Sequence, residues 1–159
     1  MDTILLFTDG SVDTQSGVGC GAYLALAENE LDGQELQNQV KIRRFENTSS
    51  VRLELETLLW ALNETADKFN RMIIYTDSQN IVGLPVRREK LEKNSFCSKK
   101  GQLLKQHDLY RQFFKLIDEL DCEFVKVTGH QPTRKKDKIH RLFTFVDKAS
   151  RKALRNTLE

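Results

Sequence analysis

Asp9 and Asp77 are two carboxylates in matching settings, and together they suggest metal-assisted chemistry. Asp9 follows the apolar run 4–7 in Phe7-Thr8-Asp9-Gly10-Ser11, and Asp77 follows the run 72–75 in Tyr75-Thr76-Asp77-Ser78-Gln79. Each run reads as a buried strand. Both aspartates are therefore expected just beyond strand ends, where α/β sheets bind their ligands. Carboxylates emerging side by side repel unless a cation lies between them, and a hard divalent ion such as Mg²⁺ suits carboxylate and water oxygens. Aspartate at a strand end also serves ordinary turns, so this pair alone does not decide the matter. Glu54 adds a third acid between apolar Leu53 and Leu55, near the expected start of a helix whose dipole favours negative charge. Its neighbour Glu56 points elsewhere and reads as solvated. A fourth group comes late, in Val127-Thr128-Gly129-His130 and then Val146-Asp147. Gly129 allows a tight loop after a strand, which leaves His130 mobile near the strand ends, whereas His107 and His140 read as surface residues.

These groups need a scaffold, and the hydrophobic periodicity predicts one. After the strand at 4–7, the stretch 17–26 reads as a second strand opened by glycines, and Val40, Ile42 and Phe45 suggest a third. Short connections among the three predict an antiparallel meander. Ser49 and Ser50 are helix caps, and apolar positions from Val51 to Phe69 recur at helical spacing, predicting a helix over 51–69. A strand at 72–75 precedes helical residues from Ser78. The basic stretch 85–105, interrupted by Pro85 and Gly101, reads as a protruding loop with a short helix. A helix over 109–120, a strand over 123–127 and a helix carrying Leu142, Val146, Ala149 and Ala153 complete the chain. The order βββ-α-β-α-β-α predicts an α/β fold, a mixed sheet flanked by helices, in a single domain over 1–159.

Composition narrows the class of partner. Of 159 residues, 39% are hydrophobic and 30% charged, as in a globular protein. No apolar run is long enough to span a bilayer, and no basic segment precedes the first apolar run as in a signal peptide. Cys20, Cys97 and Cys122 are scattered and odd in number, which predicts a reducing, cytoplasmic setting without disulfides or a thiolate metal site. Net charge is only +2, but residues 1–84 hold 6 Lys and Arg against 13 Asp and Glu, whereas residues 85–159 hold 19 against 10. A basic half suits a polyanionic partner as well as a solvated surface.

Asp-Gly-Ser after the first strand, Arg-Leu-Glu-Leu on the first helix, Thr-Asp-Ser-Gln after the fourth strand and Gly-His before a final Asp-x-Ala helix resemble ribonuclease H type I, in order and along nearly the whole chain. The resemblance implies the RNase H-like fold with a five-stranded mixed sheet. It implies Asp9, Glu54, Asp77 and Asp147 as ligands of two Mg²⁺ ions, with Mn²⁺ an alternative, and His130 as a mobile assistant to proton transfer or product departure. Catalysis would hydrolyse the RNA strand of an RNA–DNA hybrid between metal ions roughly 4 Å apart. Gly10 and Ser11 would form a turn approaching RNA 2′-hydroxyls, Gln79 would enter the minor groove, and Arg87, Arg88, Lys90 and Lys93 would hold phosphates. A monomer is expected.

Departures from the family pattern are local. Sixteen residues separate His130 from Asp147, more than is common, and the extra length is the basic run 134–141, read as a loop in which Asp137 is a solvated alternative to Asp147. Phe143 stands where the family often has asparagine. The protrusion keeps seven Lys and Arg against two acids but contains no tryptophan. Two other readings remain: a nuclease or polynucleotidyl transferase of the same fold acting on DNA, and a binding module without cleavage.

Overall fold

The computed structural model describes residues 3–128 and 134–159, the latter with side chains from 138 onward. Three antiparallel strands open the fold: β1 (Thr3–Asp13), β2 (Val18–Ala27) and β3 (Lys41–Phe45). Helix α1 (Ser50–Thr65) then leads to β4 (Arg71–Thr76) and α2 (Gln79–Lys93). Helix α3 (His107–Glu119), strand β5 (Asp121–Lys126) and helix α4 (Arg134–Leu158) follow. The five strands form one sheet in the order β3-β2-β1-β4-β5, with β4 parallel to both β1 and β5. This is the predicted mixed sheet.

Alternation along β1 divides the core. Ile4 and Leu6 face the layer built by α1, α2 and α3, while Leu5 and Phe7 face α4. Both layers are apolar: Leu58, Leu62 and Phe113 are fully buried on one side, Leu24 and Val146 on the other. Helix α1 packs unusually close to the sheet. A Cβ on Gly10 would meet Leu53 Cδ2 at 2.9 Å, one on Gly19 would meet the same atom at 2.8 Å, and one on Gly21 would overlap Thr57 Oγ1 at 2.1 Å. These glycines let the helix backbone descend onto β1 and β2.

Several element boundaries differ from expectation. Strand β1 runs on to Asp13 because its outer half keeps β2 as a partner, out to Asp13 opposite Val18. The chain reverses only at 14–17, where Gly17 adopts φ +73° and donates to the Asp13 carbonyl at 2.9 Å. Pro85 does not end α2 but lies inside it. Beyond Lys93, Phe96 turns inward, 9% exposed, with its ring 6.2 Å from Phe114. It gives this segment aromatic packing although no tryptophan is present. Finally, 134–141 is not a loop: it forms the first two turns of α4, so Asp137 belongs to that helix.

Candidate active site

The β1–β4 register brings the first two carboxylates level. The last paired residues are Phe7 and Tyr75, so Asp9 and Asp77 each lie two positions beyond that pair and on the same face. Asp9 is thus within β1, opposite Ala22, rather than past its end. What ends at this height is β4, and beyond Phe7 the β4-facing edge of β1 has no strand against it among the described residues. Directly below the two aspartates, Phe7 and Tyr75 stack with ring centroids 4.9 Å apart. This aromatic floor keeps water from one side of the site.

The other two acids arrive from opposite faces of the sheet. Asp147 projects from α4 on the side to which Asp9 points, and its Oδ1 accepts from Arg151 Nε at 2.9 Å. One turn further, Ser150 Oγ lies 3.1 Å from Ser11 Oγ and fixes the helix against β1. Glu54 comes from α1. It sits in the second turn rather than the first, so the helix terminus contributes less than expected and a specific contact holds it instead. Ser78, buried and capping α2 by accepting from Ile81 N, donates its hydroxyl to Glu54 Oε2 at 2.7 Å. The capping residue of one helix therefore orients the acid of another. Glu56 is not a free surface acid: it accepts from Thr48 Oγ1 at 2.5 Å and closes the turn before α1.

Burial over an apolar floor, then repulsion from Asp77, then a hydrogen bond with Asp147, push Asp9 up to about 8. Asp77 is raised by desolvation and by Asp147, with Lys126 and Arg151 opposing. Glu54 is raised by desolvation, while the Ser78 hydroxyl lowers it and Asp77 raises it. Mutual repulsion among buried carboxylates is what a divalent cation relieves, and the donor set is all oxygen, as Mg²⁺ and its like require. No three His, Cys, Asp or Glu side chains among the described residues are already drawn together as a ligand cage. Ser78 and Arg151 hold two of the acids in its stead.

The residues expected to touch substrate are less uniform. Gly10 and Ser11 lie in the β1–β2 ladder rather than a turn, and Gly10 has a packing role beneath Leu53. Gln79 opens α2 beside the carboxylates, its Oε1 accepting from Lys126 Nζ at 3.0 Å. Arg87 folds back to Asn80, bonding its side-chain oxygen at 2.6 Å. Arg88 is committed elsewhere: both guanidinium nitrogens grip Asp118 at 2.5 and 2.8 Å, Nε bonds Glu92, and the group stacks 5.0 Å over Phe114. These contacts clamp α2 to α3. Lys90 and Lys93 are exposed on α2. His130 lies outside the described residues. His140 is on the surface as expected, but His107 is half-buried, with Nδ1 enclosed and unpartnered among the described residues. Phe143 packs into the core under α4. Ser78 and Arg151 were missed by sequence reasoning. A serine before a helix signals a cap, but its second bond, to Glu54, spans 24 residues.

Known proteins bear on this geometry. Curated relatives named Ribonuclease H include one from Caldicellulosiruptor saccharolyticus, 24% identical over 135 residues, covering 82% of this chain and 86% of the relative. Another, from Thermoanaerobacter pseudethanolicus, is 23% identical over 149 residues, covering 91% and 89%. Among solved structures, a foamy viral protease-reverse transcriptase in complex with dsDNA superposes with a TM-score of 0.70 at 14% identity, covering 94% of each chain. LC9-RNase H1, described as a type 1 RNase H with the type 2 active-site motif, gives 0.63 at 16% identity, covering 89% of this chain and 70% of its own. The family model for RNase H matches residues 1–153, and the chain belongs to that family.

Proposed function

We propose that this chain is a single catalytic domain that hydrolyses the RNA strand of RNA–DNA hybrids with the aid of bound Mg²⁺. The observation that carries this reading is the convergence of Asp9, Asp77 and Asp147 over the Phe7–Tyr75 floor, with Glu54 held alongside by Ser78. A pure binding module would gain nothing from that arrangement, since clustered negative charge repels phosphates.

Asp9, Glu54, Asp77 and Asp147 would hold the metal. When bound, the metal supplies Lewis-acid stabilisation and an activated water for in-line displacement at phosphorus. The chain's own groups do the remaining work. Ser78 keeps the Glu54 carboxylate from rotating away, and Arg151 sets the direction of Asp147. Phe7 and Tyr75 exclude water beneath the reacting groups. The β1 edge that has no partner strand beyond Phe7 among the described residues offers backbone groups to sugar hydroxyls. Gln79, with its carbonyl taken by Lys126, presents its amide nitrogen as a donor toward base acceptors in the minor groove. His130 assists proton transfer from the connection between β5 and α4. Lys90 and Lys93 hold phosphates from α2. The free cysteines Cys20, Cys97 and Cys122 suit a reducing compartment, and no helix among the described residues is long and apolar enough to cross a membrane.

The test is cleavage of matched RNA–DNA, RNA–RNA and DNA–DNA duplexes with and without Mg²⁺. Cleavage confined to the RNA of the hybrid, and dependent on the ion, is expected. Cutting of the DNA duplex at a comparable rate would replace the hybrid reading with that of a DNA nuclease on the same fold.

A further inference from the structure

Helix α4 carries a surface that the site described above leaves unused. Leu142, Phe143, Val146 and Ser150 define its buried face. At the α-helical 100° per residue, the opposite arc, about 100° wide, holds Lys148, Arg151, Lys152 and Arg155. All four are exposed, as is Arg141 on the same arc, and Asp147, the acid of α4 from 138 onward, lies outside that arc; Glu159 follows the end of the helix, four residues after Arg155. Asp147 stands half-buried on the border between the two faces, where Arg151 reaches it at 2.9 Å. The stripe therefore starts at the carboxylate cluster and runs away from it for about 10 Å along the helix axis.

Every neighbouring pair in the stripe, three or four residues apart, is of like charge, an arrangement that destabilises a helix unless an anion lies alongside. The helix dipole favours cations only within the last turn, which accounts for Arg155, and Asp147 is an anion beside Arg151, but neither accounts for Lys148 or Lys152. A polyanion laid along the arc accounts for all four.

We propose that Lys148, Arg151, Lys152 and Arg155 bind the backbone phosphates of the cleaved strand on one side of the scissile bond. Some 10 Å matches roughly three nucleotides at about 3.4 Å of axis per nucleotide of one strand. The proposal rests on the hybrid-nuclease reading for the identity of that strand. It gives the enzyme a phosphate track on α4 in addition to the lysines of α2.

The experiment measures binding without cleavage, by fluorescence anisotropy of a labelled RNA–DNA hybrid in EDTA across a salt series. Lys148→Gln/Lys152→Gln/Arg155→Gln is compared with Lys41→Gln/Lys68→Gln/Lys115→Gln, which removes the same charge from other exposed positions. Arg151 is left in place because it holds Asp147. The stripe variant should bind at least tenfold more weakly, and its slope of log K against log salt should be shallower by about 2 to 3. The control should change the slope by less than half a unit. Chimeric hybrids with a single ribonucleotide stretch fix the cleavage position. Extending them by three nucleotides on one side should strengthen wild-type binding but not that of the stripe variant, and extension on the other side should help both equally. A stripe variant that behaves like the control, or that responds equally to both extensions, would overturn the proposal. If melting curves show the triple variant unfolded, Lys152→Gln alone decides, with an expected slope change of about 1. A wild-type chain that binds hybrids but never cuts them would sink the nuclease reading, while a differential salt slope would still establish the track.

Discussion

Asp9 is the acid most crowded by its neighbours, and its replacement separates chemistry from binding. Asp9→Asn removes a proposed metal ligand and no basic contact, so hybrid cleavage should fall below detection while hybrid affinity in EDTA stays within a few-fold of wild type. Ser78 makes two bonds at once, to Ile81 N and to Glu54. Ser78→Ala should therefore cost about 1 kcal/mol of stability through the lost cap and also slow Mg²⁺-dependent cleavage. Ser78→Thr should restore the cap and recover much of the rate; a Ser78→Ala variant that loses stability yet cleaves at the wild-type rate would show that Glu54 needs no such hold. For the last carboxylate, ten residues of helix place Asp137 and Asp147 about 15 Å apart along α4, so only one can join Asp9. Asp147→Asn should cripple cleavage and Asp137→Asn barely alter it, as steady-state kinetics would reveal. The identities of these acids were legible in the sequence because type and spacing mark them. Their partners were not, since Ser78–Glu54, Arg88–Asp118 and Ser11–Ser150 join residues 24, 30 and 139 positions apart.

At the level of elements, the depth to which α1 sinks onto the sheet decides where Glu54 stands. Gly21 is the narrowest point, because Thr57 is β-branched and buried, and its side chain cannot swing clear. Gly21→Ala should destabilise the protein by about 1–3 kcal/mol, the usual range for overpacking, read as a lowered urea midpoint. Pairing it with Thr57→Ala should recover part of the loss, since that opens the same space and removes a hydroxyl that has no partner among the described residues. Equal losses in the single and double variants would mean that the contact is not the cause. Strands 1, 2 and 4 and helix α1 were predictable from periodicity alone, whereas the two misread segments had local signals that tertiary packing overrode. Pro85 argued for a break, yet α2 continues through it, with Ile81 and Leu84 buried beneath. The run 134–141 has no apolar period of its own, but it is continuous with a helix anchored by Leu142, Phe143 and Val146.

The whole molecule carries the electrostatic strain of its site as a dependence of stability on pH. A carboxyl raised in the folded state binds its proton more tightly there than in the unfolded chain. The folded state therefore loses stability as pH rises from the unfolded value near 4 to the folded one, by at most about 1.4 kcal/mol per pH unit for one group. Asp9, raised to about 8, places that loss between roughly pH 4 and 8, and raised Asp77 and Glu54 add to its acidic end. Asp108 and Asp118 act in the opposite sense. Hydrogen bonds from Arg52 and Arg88 hold them below the usual carboxylate range, so their contribution is lost only as pH falls below about 4. The window from pH 5 to 8 thus belongs to the site. In EDTA the melting temperature should fall by several degrees across it, at roughly 2–4 °C per kcal/mol for a chain of this size. Mg²⁺ in the proposed site would bind its ionised form in the folded state only, so millimolar Mg²⁺ should recover the loss at pH 8 and do little at pH 5. Asp9→Asn carries no charge at that position, so its melting temperature in EDTA at pH 8 should exceed that of wild type and respond only weakly to the metal. Melting curves of both proteins at pH 5 and 8, with and without Mg²⁺, form a closed set. A wild-type melting temperature that rises with pH in EDTA would show that the carboxylates are not strained against one another, and with that the physical case for a metal between them would fail.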